Sequence, residues 1–143
     1  MKISTKGRYG LMAMFELALE YGKGPTPLNI IAEEQGLSES YLEQLFSTLR
    51  KDGLINSVRG AQGGYMLSDE PAKITVGQIL RSLEGDMAVA NCVGDTPTRD
   101  CSKLEGCATK LVLAKIKDSI DEVIDNISLA DMIEEINIQE ILN

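Results

Sequence analysis

The sequence predicts a mainly α-helical fold with one small β-hairpin, and three observations predict it. Apolar residues recur at helical spacing through much of the first 52 residues and again beyond residue 109. Between these regions a glycine-rich turn, Arg59-Gly60-Ala61-Gln62-Gly63, separates two short runs of strand-forming residues. Aromatic residues make up only 4% of the chain and there is no Trp, so the core must be assembled from Leu, Ile, Val, Met and Ala. A chain of 143 residues suffices for one sizeable core, or for one small domain with an oligomerisation arm.

The elements follow in order. Leu11, Met14, Phe15 and Ala18 share one face of a first helix over 5–21, which Gly22-Lys23-Gly24-Pro25 ends. Thr26-Pro27 reads as an N-cap followed by Pro at the first helical position, opening a short second helix that Gly36 stops. Ser38 caps a third helix running to about Asp52, with Glu39 favourably placed at its positive end. Leu54–Val58 and Gly64–Leu67 are the hairpin strands. Thr75-Val76-Gly77-Gln78 has capping-box form and starts a helix through Leu83. Residues 85–106 read as irregular. A long amphipathic helix then runs from Thr109 to about Asn126, with Leu113, Ile116, Ile120, Val123, Ile124 and Ile127 as its apolar positions. Ser128-Leu129-Ala130-Asp131 resembles one more helix start, followed by Met132, Ile133, Ile136 and Ile138.

Three helices followed by a hairpin is the order of a winged helix-turn-helix. Ala32 is small where two helices must cross, and Gly36 falls four residues later, where a tight turn needs positive φ. Leu42, Leu45 and Leu49 form the inward stripe of the third helix. Its other face carries Ser40, Tyr41, Glu43, Gln44 and Ser47, polar groups of the kind that read base edges. Arg59 at the hairpin tip suits a narrow minor groove. The same pattern also suits a scaffold or a protein-binding module, because polar residues on an exposed helix face are usually only solvated. The division expected is a winged helix-turn-helix DNA-binding domain over 1–84, a cysteine-bearing loop over 85–108, and a dimerisation helix with its tail over 109–143.

Net charge is −8, which by itself opposes nucleic-acid binding. Its distribution reverses that inference. Residues 1–68 hold seven bases and seven acids, whereas residues 69–143 hold seven bases and fifteen acids. The first-half bases cluster at the amino terminus, at Arg50-Lys51 and at Arg59, as a local phosphate footprint requires. No apolar run approaches the roughly 20 residues of a membrane helix, and the start lacks the apolar stretch of a signal peptide, so a cytoplasmic location is expected.

Cys92, Cys101 and Cys107 are an odd number of thiols within 16 residues. In a cytosolic chain this favours metal or redox chemistry over a disulfide framework. Thiolates are the usual ligands of iron–sulfur clusters, although eight and five intervening residues match none of the common ferredoxin spacings. Zinc binding, a reversible disulfide switch and unliganded thiols stand as alternatives. Enzymatic activity is the reading with least support. The chain has no His for general-base work, no paired acids in an evident pocket and no phosphate-binding loop. Gly60-Ala61-Gln62-Gly63-Gly64 lacks the strand-then-helix context such a loop needs.

Ser4-Thr5-Lys6-Gly7-Arg8-Tyr9, Leu37-Ser38-Glu39-Ser40-Tyr41-Leu42-Glu43-Gln44-Leu45 and Val58-Arg59-Gly60-Ala61-Gln62-Gly63-Gly64-Tyr65 resemble the signature segments of the IscR/CymR/NsrR family of winged-helix transcription regulators. The likeness runs from Met1 to about Ile136 and is nearest to the iron–sulfur members. It implies a homodimer, with the long helix from about Lys110 packed against its counterpart, bound to a pseudo-palindromic double-stranded operator. It further implies that Ser38, Ser40, Tyr41 and Gln44 enter the major groove, that Glu43 helps to choose between operator types, and that Arg59 reaches the minor groove. Lys6, Arg8 and Arg50 then hold phosphates, which position without specifying.

For the cysteines, the resemblance implies a cluster, expected as 2Fe–2S, on Cys92, Cys101 and Cys107. The position that supplies a fourth, histidine ligand in the iron–sulfur members is Lys110 here, a poor default ligand because its amine is protonated near neutral pH. Asp95, Asp100, Glu105, a partner carboxylate or an exogenous thiol are the remaining candidates. The amino-terminal aspartate of nitric-oxide-sensing relatives is matched by Arg8. The alternative within the family is a CymR-like regulator of sulfur metabolism, controlled by a partner enzyme or a thiol switch and lacking a cluster.

Overall fold

A computed structural model describes residues 2–95 and 105–143. Helix α1 spans Thr5–Leu19, α2 Leu28–Gln35 and α3 Glu39–Lys51. Strands β1 (Ile55–Val58) and β2 (Gly64–Leu67) follow, then α4 (Val76–Glu84), α5 (Ala108–Asp125) and α6 (Leu129–Leu142). The expected fold class, mainly helical with a small hairpin in winged helix-turn-helix order, is what the chain adopts.

Helix α3 forms where its pattern placed it. Leu42, Leu45 and Leu49 are buried, joined by Phe46 between them. Ser38 Oγ accepts the Tyr41 N–H at 3.1 Å, closing the amino-terminal turn, and Arg50 and Lys51 lie at the negative end. Ahead of it, Gly36 ends α2 with φ of 63°, a left-handed conformation that costs a side-chain-bearing residue about 1 kcal/mol or more. This turn sets α2 against α3, and Ile31 and Ala32 pack into the shared core.

One expectation fails at the start of α2. Thr26 does not cap the helix; Pro27 occupies the cap position, without a side-chain hydrogen bond. Thr26 instead exchanges two backbone hydrogen bonds of 2.8 Å with Tyr65, which adds a bridge to the outer edge of the hairpin. Strand pairing across the fold competes successfully with the local capping preference. Gly64 is required at this contact, since its φ is +151° and a Cβ there would strike the Thr26 carbonyl.

The hairpin is antiparallel in the register Ile55–Leu67 to Val58–Gly64, one residue shorter than expected at its start. Leu54 is nevertheless buried, with Ile55 and Leu67, beneath the wing. The capping box at Thr75 is present: Gln78 N–H donates to Thr75 Oγ1 at 3.1 Å and Thr75 N–H to Gln78 Oε1 at 2.9 Å. Helix α4 lies across α1 and buries Ile79 and Leu83 in the main core.

The end of the chain returns to that core. Val76 N–H donates to the Ile127 carbonyl at 2.8 Å and Leu129 N–H to the Ile74 carbonyl at 2.9 Å. Leu129 is then fully buried among residues of α1, α3 and the hairpin. A second capping box, Ser128 with Asp131, starts α6 there. Helix α5 differs from the rest in burying no residue completely. Ile120 and Ile124 cover a small cluster of Val76, Leu80 and Met87, while Leu111, Val112, Ile116 and Val123 remain exposed. Among the described residues no helix is long and apolar enough to cross a membrane.

Candidate nucleic-acid interface and cysteine segment

The residues expected to meet nucleic acid lie on α1, α3 and the wing. Ser38, Ser40, Glu43 and Gln44 are exposed, and Tyr41 is half-buried. Ser38 has a structural duty as well, because its oxygen is engaged by the Tyr41 amide, leaving its proton available for donation. Tyr41 packs edge-on against Tyr9 of α1, with ring centroids 6.3 Å apart, and the Arg8 guanidinium lies 5.9 Å from the Tyr9 centroid. The start of α1 is thereby tied to the start of α3, and Lys6 and Arg8 remain solvent-exposed.

Glu84 positions that corner and was not found by sequence reasoning. Its Oε1 accepts the backbone N–H groups of Ser4 at 2.9 Å and Gly7 at 3.0 Å, together with the Ser4 hydroxyl. A carboxylate at the positive end of α1 satisfies otherwise unpartnered amides, as a cap from within the helix would. No local signal reveals a partner 77–80 residues away.

At the other end of α3, Arg50 Nη1 donates to Ser57 Oγ on β1 at 3.0 Å. Arg50 and Arg59 line one groove of about 380 Å³ between the wing and the start of α2. Both are exposed, so two of the expected cations meet at one surface notch.

The cysteine segment is only partly described. Cys92 is half-buried in a short 3-10 turn over Asn91–Val93, and Cys107 is half-buried at the N-cap position of α5. Cys101 lies outside the described residues, as does Asp100. Among the described residues no three Cys, His, Asp or Glu side chains converge to hold a metal ion. Of the described candidates for a fourth ligand, Glu105 is exposed, and Asp95 is engaged by Lys117 at 3.3 Å. Lys110 is half-buried in the first turn of α5.

Next to this segment lies the densest charge network among the described residues. Lys117 of α5 meets Asp121 at 2.7 Å, and Arg81 of α4 pairs with both Asp121 and Asp125. The Lys117 hydrogen bond, reinforced by Arg81, holds the Asp121 carboxyl below the ordinary carboxylate range. Asp121, assisted by Asp95, raises the Lys117 ammonium above its ordinary value.

Comparison with known proteins agrees with this architecture. Residues 3–135 match the model of the Rrf2 family, described as an iron-dependent transcriptional regulator. The HTH-type transcriptional regulator CymR of Bacillus subtilis is 48% identical over 132 residues, covering 92% of this chain and 89% of that protein. The regulator IscR of Erwinia tasmaniensis is 41% identical over 142 residues, covering 99% and 82% respectively. Among solved structures, T. potens IscR superposes with a TM-score of 0.76 at 52% identity, covering 94% of this chain and 88% of that one. With the match extending over nearly its whole length, the chain belongs to the Rrf2 family of transcriptional regulators.

Proposed function

We propose that the protein is a homodimeric, sequence-specific DNA-binding regulator that senses iron–sulfur status through Cys92, Cys101 and Cys107. The observation that carries the DNA half is the exposed polar face of α3, flanked by exposed Lys6, Arg8, Arg50 and Arg59 in a chain of net charge −8. Cations gathered on one module of an otherwise acidic protein are a binding footprint. In this reading Ser40, Tyr41, Glu43 and Gln44 face base edges. Arg59 enters the minor groove beside the recognition helix, and Lys6, Arg8 and Arg50 contact phosphates.

The exposed apolar face of α5 supports the dimer. Ile116 and Val123 border a groove of about 530 Å³ that a second copy of the helix fills by two-fold packing. Two recognition helices related by a dyad read a pseudo-palindromic operator.

Three thiols are the donor chemistry that an iron–sulfur cluster takes, and a 2Fe–2S group on them would supply a centre responsive to oxidants and iron supply. The test is an anaerobic absorption spectrum with iron and sulfide assays. Visible bands that vanish when Cys92, Cys101 or Cys107 becomes Ala support the cluster; colourless, iron-free protein after reconstitution refutes it.

A second reading, a CymR-like regulator of sulfur metabolism working by thiol chemistry or an enzyme partner, is favoured by the 48% identity to Bacillus subtilis CymR. The solved structure of that protein, the global cysteine regulator of B. subtilis, superposes with a TM-score of 0.79 at 47% identity. An enzyme retained by cysteine-replaced protein with an unchanged DNA response would select this reading.

A further inference from the structure

Beside the burial of Met87 against Val76 and Leu80, one cation ties the segment carrying Cys92 to α5. Lys117 has only 13% of its side chain exposed, and its ammonium lies 3.3 Å from Asp95 and 4.0 Å from Asp86, besides the 2.7 Å contact to Asp121. Asp86 also accepts the Asp95 backbone N–H at 2.6 Å, which closes the stretch from 86 to 95 around Cys92. A lysine so enclosed normally extends to water; here three carboxylates from two elements retain it.

The same lysine is joined to the DNA-reading module. Asp121 gives one carboxylate oxygen to Lys117 and the other to Arg81 of α4 at 2.9 Å. Arg81 also grips both oxygens of Asp125. Its neighbour Ser82 donates to Asp52, the residue that caps the end of α3. Polar contacts therefore run from the Cys92 segment through α5 to Arg81, and the backbone of α4 carries the line on from Arg81 to Ser82 and its contact at the end of the recognition helix.

The line has a strong part and a weak part. Arg81 is a planar fork making paired, charge-assisted bonds, which hold geometry. Lys117 is a point charge divided among three carboxylates, and of its two partners on the cysteine segment Asp95 is 68% exposed and Asp86 is at the limit of ion-pair contact. Four carboxylates share two cations, so the attachment to Asp95 and Asp86 yields first when the segment is disturbed. The α4–α5 connection survives that release.

We infer that Lys117 and Asp121 are positioning residues that couple the Cys92 segment to the DNA-reading module, with Lys117 latching the segment and Arg81 carrying its displacement to α4. The inference rests on the proposal that the cysteines sense, and it adds the residues that transmit. Coupling between sites is reciprocal, so DNA must alter the segment as much as the segment alters DNA affinity.

The experiment uses full-length protein, reduced in the presence of a chelator, and a duplex selected by the wild-type protein from a random-sequence pool. Iodoacetamide labelling of Cys92, followed by peptide mass spectrometry, is timed with and without duplex. Duplex affinity is measured before and after labelling. In the wild type, labelling changes duplex affinity by about tenfold, inside the usual range of allosteric coupling, and duplex in turn changes the rate of labelling. Lys117→Met keeps the aliphatic stem, speeds labelling and removes its dependence on duplex. Asp95→Asn acts in the same direction, and the double variant goes no further than Lys117→Met alone. Lys117→Arg restores the coupling. Should Lys117→Met fail to fold, Asp95→Asn carries the test from an exposed position.

Coupling that persists unchanged in Lys117→Met or Asp95→Asn overturns the latch while leaving the sensing role intact. A wild type in which labelling and duplex ignore each other overturns both.

Discussion

Leu129 sits at the first position of α6, 62 residues beyond the end of the hairpin, yet its side chain is fully buried in the core formed by α1, α3 and the hairpin. Replacing it with Ala removes three carbons from a site that cannot close over the loss. The Leu129 amide is fixed to the Ile74 carbonyl, the Val76 amide to Ile127, and the Ser128–Asp131 capping box fixes the turn between. Buried Leu→Ala changes cost about 2–5 kcal/mol, and restricted relaxation places this one at about 3–5 kcal/mol. Against a total stability of about 5–15 kcal/mol, that is a large share. With a urea m-value of about 2 kcal/mol/M, the midpoint falls by at least roughly 1.5 M. The assay is urea unfolding followed by circular dichroism at fixed chain concentration, because the stability of any self-associating chain depends on concentration. Exposed Glu134→Ala on the same helix serves as control and shifts stability by no more than about 0.5 kcal/mol. A loss below about 1 kcal/mol for Leu129→Ala, or one equal to the control, refutes the view that the end of the chain completes the first core.

Arg59→Ala is expected to weaken duplex binding most at A·T-containing sites, whereas Lys6→Ala weakens all duplexes alike and flattens the salt dependence by about one unit of slope. Equal, sequence-blind losses in filter binding remove the case for Arg59 as a reader. Glu16→Gln is expected to stabilise the fold at neutral pH. Burial, then Glu34 and Glu20, raise the Glu16 carboxyl above its ordinary value, so its charged form opposes folding at pH above that raised value. The gain, about 0.2–0.5 kcal/mol for each like-charge pair relieved, shrinks as the pH falls toward about 4. The Gln side chain keeps an oxygen to accept from Gln35, so a variant less stable at pH 7, measured by thermal unfolding, contradicts this sign. Ile116→Asp places a charge on the exposed apolar face of α5 and is expected to yield monomer in sedimentation, with DNA affinity reduced through loss of the second reading head. A variant that remains dimeric locates the interface elsewhere.

Much of this protein was legible in its residues because the signals are local. The stripe of Leu42, Leu45 and Leu49, the cap at Ser38, the left-handed Gly36 and the capping box at Thr75 each involve residues within about two helical turns of one another, where period and propensity act directly. The same local chemistry placed Ser40, Glu43 and Gln44 on the outer face of α3 and Arg59 at the hairpin tip. Phe46 escaped the stripe because a fully buried helix face is wider than a three-residue repeat suggests.

The order of elements, the helical period and the positions of charge and thiol along the chain are carried by the local pattern of residues. The tertiary structure alone decided that Thr26 pairs with Tyr65 rather than capping α2, that Glu84 caps α1, that Leu129 enters the first core, and that Lys117 fastens the Cys92 segment to α5. Helix α5 shows the same division within one element. Its apolar repeat was plain, but only packing separated Ile120 and Ile124, which cover α4, from Ile116 and Val123, which face outward. Periodicity reports that a face is apolar, whereas the partner of that face is set by contacts between residues distant in the chain, whose pairing no local pattern encodes.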